Sequence, residues 1–247
     1  MRLGKTQSVG IYLFIFLILT AASATLPAFA QEGPTGFIGV EAGNTSDKFG
    51  ALSSVNSAMG AIEGQFFILK GTQKNQTPHI VVGGEARFPL DTNQHAPEFA
   101  AYGGPQFYFG NGFMLGFHAQ IRKIYLPTGQ IDGGPLNRDK MLFLELPVVF
   151  SYKFGPGRKA FFDLQGTAEF TPWYKTTTGD KPSPLPTPSF DYGYSGRAAV
   201  GYNFSNKWYV KGEYQRRLLK FNSGTSNPLE LYNWRSDQVT GGVGFLF

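Results

Sequence analysis

The sequence predicts an all-β protein: a transmembrane antiparallel up-and-down β-barrel preceded by a cleaved signal peptide. Three observations predict it. Apolar residues recur at every second position in one segment after another. The connectors between those segments alternate between short and long. The chain opens like an exported protein and stops on an aromatic residue, Phe247. A period of two is the signature of a strand with one apolar face.

The elements follow in order. Arg2 and Lys5 form a basic start, residues 9–19 are an apolar run, and Ala28-Phe29-Ala30 has the small-x-small form of a cleavage site. Residues 1–30 are therefore expected to be a signal peptide, the run being shorter than the roughly 20 residues of a spanning helix. Residues 31–247 are expected to form one barrel domain. No later run reaches the length of a spanning helix, and there is no Cys among 247 residues, so neither a disulfide framework nor a thiolate site is available.

Ten segments of alternating character follow, at about 36–45, 60–70, 79–90, 98–109, 113–126, 141–154, 160–174, 190–204, 207–220 and 236–247. The first two are the weakest, which leaves eight strands as the alternative to ten. The later ones are clearest. In 141–154 one face is Leu142, Leu144, Leu146, Val148, Phe150, Tyr152 and Phe154, with Glu145, Ser151 and Lys153 opposite. In 160–174 Phe162, Leu164, Ala168 and Phe170 oppose Asp163, Gln165, Thr167 and Glu169. In 190–204 aromatic and small apolar residues at even positions oppose Asp191, Ser195, Arg197 and Asn203. In 207–220 Trp208, Val210, Gly212 and Tyr214 oppose Lys211, Glu213, Gln215 and Arg217. A periplasmic β-sandwich also alternates, but it would point mid-strand charges at water. A membrane barrel turns them into its lumen and turns an unbroken apolar face to lipid.

The connectors after the fourth, sixth and eighth segments are short: Gly110-Asn111-Gly112, residues 155–159 and Ser205-Asn206. Those after the third, fifth, seventh and ninth are longer, at about 7, 14, 15 and 15 residues. Short periplasmic turns and long external loops produce this rhythm, and an even strand number puts both termini in the periplasm. Aromatic residues cluster near the short turns (Phe107, Phe113, Tyr152, Phe154, Phe161, Tyr202, Phe204 and Trp208 among them). A looser set, including Phe88, Phe99, Tyr125, Phe190 and Trp234, marks the other interface.

With these features the whole mature chain resembles the small outer-membrane β-barrel superfamily, the eight- and ten-stranded barrels typified by the OmpA transmembrane domain and OmpX. The resemblance implies an integral outer-membrane location. It also implies partners: outer-membrane lipid and lipopolysaccharide, periplasmic chaperones, and a barrel assembly machinery that reads the terminal strand. Val239, Val243, Phe245 and Phe247 match that assembly signal, with Gly241 where an apolar side chain is more usual.

The alternation also assigns a lumen charge network: Glu41, Glu85, Arg87, Arg122, Glu145, Asp163, Glu169, Arg197, Lys211, Glu213 and Arg217, with Glu63, His118 and Lys153 on the same faces. Charges in a narrow barrel must pair or stay hydrated. An interior only just wider than its side chains favours a lumen closed by internal salt bridges. A narrow channel for ions or small solutes is the alternative.

An external basic rim is expected from Lys123, Arg138, Lys140, Arg216, Lys220 and Arg235, with Arg122 and Arg217 at the same level. It is partly offset by Asp132, Asp139, Glu230 and Asp237. Such residues suit lipid phosphates, or an extracellular polyanionic glycan if the protein is an adhesin. Residues 181–188 carry alternate prolines that stiffen an exposed loop.

No catalytic motif is present. The three His (His79, His95 and His118) are not adjacent to Asp, and no His follows position 118. The expectation is a non-catalytic surface or structural protein without cofactor or metal. The sequence pI near 9.3 reflects few acids, and an exported barrel does not meet nucleic acid.

Overall fold

In the computed structural model the structure describes residues 35–49, 54–71, 77–91, 97–129, 137–178, 181–182, 189–222 and 233–247. The expected signal peptide, His95 and most of the proline-rich loop lie outside the described residues.

Ten antiparallel strands close into one barrel. They are β1 (Gly36–Phe49), β2 (Val55–Leu69), β3 (His79–Pro89), β4 (Glu98–Tyr108), β5 (Phe113–Phe117 and Ala119–Gly129), β6 (Asn137–Phe154), β7 (Ala160–Thr178), β8 (Ser189–Asn203), β9 (Trp208–Asn222) and β10 (Trp234–Leu246). Each strand pairs with its neighbours in sequence, and β1 pairs with β10 from Phe37↔Leu246 to Phe49↔Trp234. That last ladder closes the wall and leaves no edge, the condition a sheet must meet to cross lipid. Ten strands is the answer between the two alternatives. Lys181–Pro182 adds only a short pairing against the end of β7.

The strands run further than the periodicity marks. β2 begins at Val55, and β6 and β7 are 18 and 19 residues long, so the wall continues beyond the apolar band on the side of the long connectors. At the opposite end the turns are tight. Asn111 and Gly112 take positive φ (64° and 89°), as do Gly155, Gly157 and Arg158 (77°, 65° and 51°), a conformation that Gly and Asn adopt cheaply.

β5 is interrupted at His118. Its two neighbours carry prolines beside the break, Pro105 on β4 and Pro147 on β6. Neither ring can donate a ladder bond, and the His118 amide donates instead to the Pro147 carbonyl at 3.0 Å.

Alternation divides the wall. On β9, Tyr209, Glu213, Gln215, Arg217 and Leu219 are buried inside, while Val210, Tyr214 and Arg216 face outward. Outside, apolar side chains stay bare: Val200 and Val239 are each 59% exposed, and Ile121, Leu146 and Val243 stand in the same band. A continuous apolar belt of this kind is a liability in water and is matched by lipid. The core of the molecule is its lumen.

Candidate functional site: the barrel lumen

The lumen is built in three layers along the axis. At the end of the long connectors an apolar cap packs Ile124, Met141, Phe143, Leu219 and Trp234 across the bore, with Phe190 against them. Trp234 is 2% exposed, and its indole Nε1 donates to Asp47 Oδ1 at 3.3 Å.

Beneath the cap lies a belt of buried ion pairs. Arg122 Nη1 and Arg217 Nη1 converge on Glu98 Oε2 at 2.9 and 2.5 Å. Arg122 Nε reaches Glu145 at 2.9 Å, and Arg217 Nε reaches Glu169 at 2.9 Å. Gln120 donates to the second oxygen of Glu145 at 2.5 Å. Arg122 also binds Glu85 at 2.5 Å, which ties this belt to the next.

In the next layer Arg87 joins Glu213 at 2.8 Å and Gln238 at 2.5 Å, while Arg197 reaches Glu63 at 2.7 Å and Glu213 at 2.5 Å. Lys211 Nζ stands among three carboxylates: Glu41 at 2.7 Å, Glu63 at 2.5 Å and Glu213 at 3.0 Å. Those three acids have the spacing of a cation site, but the ammonium of Lys211 already occupies the cation's place. Thr240 donates to Glu41 at 2.5 Å. All ten strands contribute a member to these two layers.

Below them, toward the short turns, a cavity of about 260 Å³ remains, lined by Tyr102, Gln106, His118, Asp163, Arg197, Tyr209 and others. Its wall is a hydrogen-bonded series in which Tyr108 donates to Gln106 (3.0 Å), Gln106 donates to Gln65 (3.2 Å), and Gln106 Nε2 meets His118 Nε2 (3.3 Å). The His118 ring stacks on Tyr102 at 5.3 Å.

The structure brings together ten of the eleven sequence-derived lumen charges as ion pairs. Asp163 lies in the cavity wall and accepts from Ser151 instead. Lys153, near the end of β6, is on the lumen face as expected and lines the cavity, but it is exposed and outside the ion-pair network. Arg122 and Arg217 stand wholly inside the barrel and not on its outer rim.

Glu98, the hub of the upper belt, was not among the expected residues. Its signal is parity, shared with the lumen-lining Tyr102 and Gln106 of the same strand. Trp234 and Phe161, expected in the aromatic girdles, face the lumen. Phe190 does so as well, because a register shift between Phe190 and Tyr192 breaks the alternation there.

Outside the barrel, Lys123, Arg216, Lys220 and Arg235 are exposed as expected, whereas the side chains of Arg138 and Lys140 lie outside the described residues. Val239, Val243 and Phe245 line the outward face of β10. Phe247 contacts the Phe66 ring at 5.4 Å, and its backbone exchanges hydrogen bonds with Gly36 at 3.1 Å in each direction.

No family model matches the chain, and no curated protein matches it. Solved structures do. The outer membrane protease OmpT from Escherichia coli aligns over 91% of this chain and 100% of its own, at 12% identity and a TM-score of 0.49. Neisserial surface protein A aligns over 88% and 100%, at 12% identity and 0.43. Ail, the attachment invasion locus protein of Yersinia pestis, aligns over 87% and 99%, at 8% identity and 0.31. What the structure establishes is the fold, a closed ten-stranded antiparallel β-barrel with an apolar outer face. At these scores the neighbours say nothing of what this particular barrel does.

Proposed function

We propose that the protein is a sealed integral barrel of the outer membrane, with a structural or surface-interaction role and no open pore. The carrying observation is the double closure: an apolar cap directly above a belt of fully buried, mutually paired charges. Solute crossing the bore would have to separate Trp234 from Phe143 and Leu219 and then break pairs around Glu98. Opening a buried pair costs several kcal/mol because an unpaired charge is left in low dielectric.

The short turns, Thr35 and Phe247 share one end of the described barrel, and we place that end in the periplasm, as the length asymmetry of the connectors suggests. The long connectors then face outward and are the place where a surface role would be exercised. Neither described histidine is hydrogen-bonded to a carboxylate, which favours a non-catalytic reading over a hydrolase.

The test is conductance of the refolded protein in a planar bilayer, with the heat-dependent shift in gel mobility as the folding control. A silent, folded protein is expected. Steady ohmic current from the wild type would replace this reading with the narrow channel.

A further inference from the structure

Two guanidiniums meet on one carboxylate on the lipid-facing wall of β9 and β10. Arg216 Nε donates to Asp237 Oδ1 at 2.6 Å, and Arg235 Nε donates to Asp237 Oδ2 at 2.7 Å. Tyr214 OH also donates to Oδ1 at 2.6 Å, and the Arg216 guanidinium lies over the Tyr214 ring at 5.9 Å. The register sets Arg216 opposite Asp237 and sets Lys48 of β1 opposite Arg235. Lys220 stands above them with Nζ 5.2 Å from the Tyr192 ring and 4.0 Å from Asp191.

The two arginines engage Asp237 through Nε alone. No ion pair of the Nη groups with a described residue accompanies those contacts, and the side chains are 47% and 45% exposed, so their planar forks can reach a further anion. Among the described residues, the four cations here face only Asp237 and Asp191 as acids.

Its height is informative. Trp208 and Phe245 mark one interface, with their rings 5.1 Å apart. Arg216 lies eight residues further along β9, which at the rise and tilt of a barrel strand is roughly 20 Å across the membrane. The apolar band of such barrels is about 25 Å tall. The outward side chains between are Val210, Tyr214, Val239 and Val243, and polarity begins at Arg216. The fork therefore stands at headgroup level on the wall, facing lipid, and not on a loop tip facing a soluble glycan.

We propose that Arg216, Arg235 and Lys48, with the two arginines bridged by Asp237, bind the phosphate of an outer-leaflet lipid headgroup: a phosphomonoester on an acylated sugar, as in lipopolysaccharide. Paired bidentate forks and an adjacent ammonium suit a dianionic phosphate better than a singly charged phosphodiester. The assignment to the outer leaflet rests on the orientation proposed above, and the binding chemistry does not.

The test refolds the full barrel into phosphatidylcholine vesicles doped with bisphosphorylated lipid A or with the same lipid enzymatically dephosphorylated. Retained lipid A is read by native mass spectrometry. Wild type is expected to prefer the phosphorylated lipid by roughly tenfold or more, and the exposed double variant Arg216→Gln/Arg235→Gln is expected to lose that preference while keeping its gel-mobility shift. Equal retention of both lipids by wild type, or an unchanged preference in the double variant, overturns the proposal. Displacement of the lipid by millimolar inorganic phosphate would also overturn it, since the site would then be one for free anions. Both leaflets of these vesicles carry the lipid, so the result is independent of orientation. Orientation is read separately, by labelling a single Cys placed at residue 133 in intact cells.

Discussion

Arg217 shows how one side chain can hold several strands together. It is 1% exposed and ties Glu98 of β4 to Glu169 of β7. Replacing it by Gln leaves Glu169 without a cation among the described residues and Glu98 with Arg122 alone, and the expected cost is about 3–5 kcal/mol. The readout is the urea midpoint for loss of the gel-mobility shift in vesicles. Asp163→Asn should move that midpoint far less, by about 1 kcal/mol at most, since Asp163 contacts a hydroxyl rather than a guanidinium in the described network. Glycines give a second contrast. A Cβ on Gly244 would run into the Tyr209 ring, whereas one on Gly212 would meet nothing within 4 Å. Gly244→Val is therefore expected to destabilise by roughly 1–3 kcal/mol through displacement of Tyr209, and Gly212→Ala to be tolerated in the same assay.

At the scale of elements, β10 closes the wall against β1. Its outward residues Val239, Val243 and Phe245, with Phe247 just beyond the strand, are proposed as an assembly signal. Removing Phe247 deletes both backbone bonds to Gly36 and the ring contact with Phe66. Deletion is expected to lower the amount of barrel in the outer membrane of cells several-fold, measured by fractionation. Unchanged levels would show that the terminal aromatic is dispensable for assembly. The interrupted strand β5 teaches a different lesson. Its periodicity reads as continuous from 113 to 126, and the break comes from Pro105 and Pro147 on the strands beside it, which a reading of β5 alone could not reveal.

For the whole molecule, cap and belt act in series. Removing the cap with Trp234→Ala and Phe143→Ala should leave the barrel silent in a planar bilayer, since the pairs around Glu98 still fill the bore. Adding Arg122→Ala to those two is expected to admit current. That current should favour cations, because the described lumen holds nine carboxylates (Glu41, Asp47, Glu63, Glu85, Glu98, Glu145, Asp163, Glu169 and Glu213) against six cationic side chains (Arg87, Arg122, Lys153, Arg197, Lys211 and Arg217). Conductance from the cap variant alone would mean that the belt does not seal.

The sequence by itself determined the wall. A strand sends alternate side chains to opposite faces, so parity in β6, β7 and β9 was enough to assign lipid and lumen faces, the closed barrel and nearly all the interior charges. It could not assign partners. Arg87 and Glu213 are 126 residues apart, and Lys211 and Glu63 are 148 apart. Parity gives a face but neither height along the axis nor angle around it, and a contact across the bore needs both. Only the closed register placed Glu98 at the centre of the upper belt, drew Phe190 and Trp234 inward to cap it, and set Arg216 and Arg235 on the same carboxylate outside.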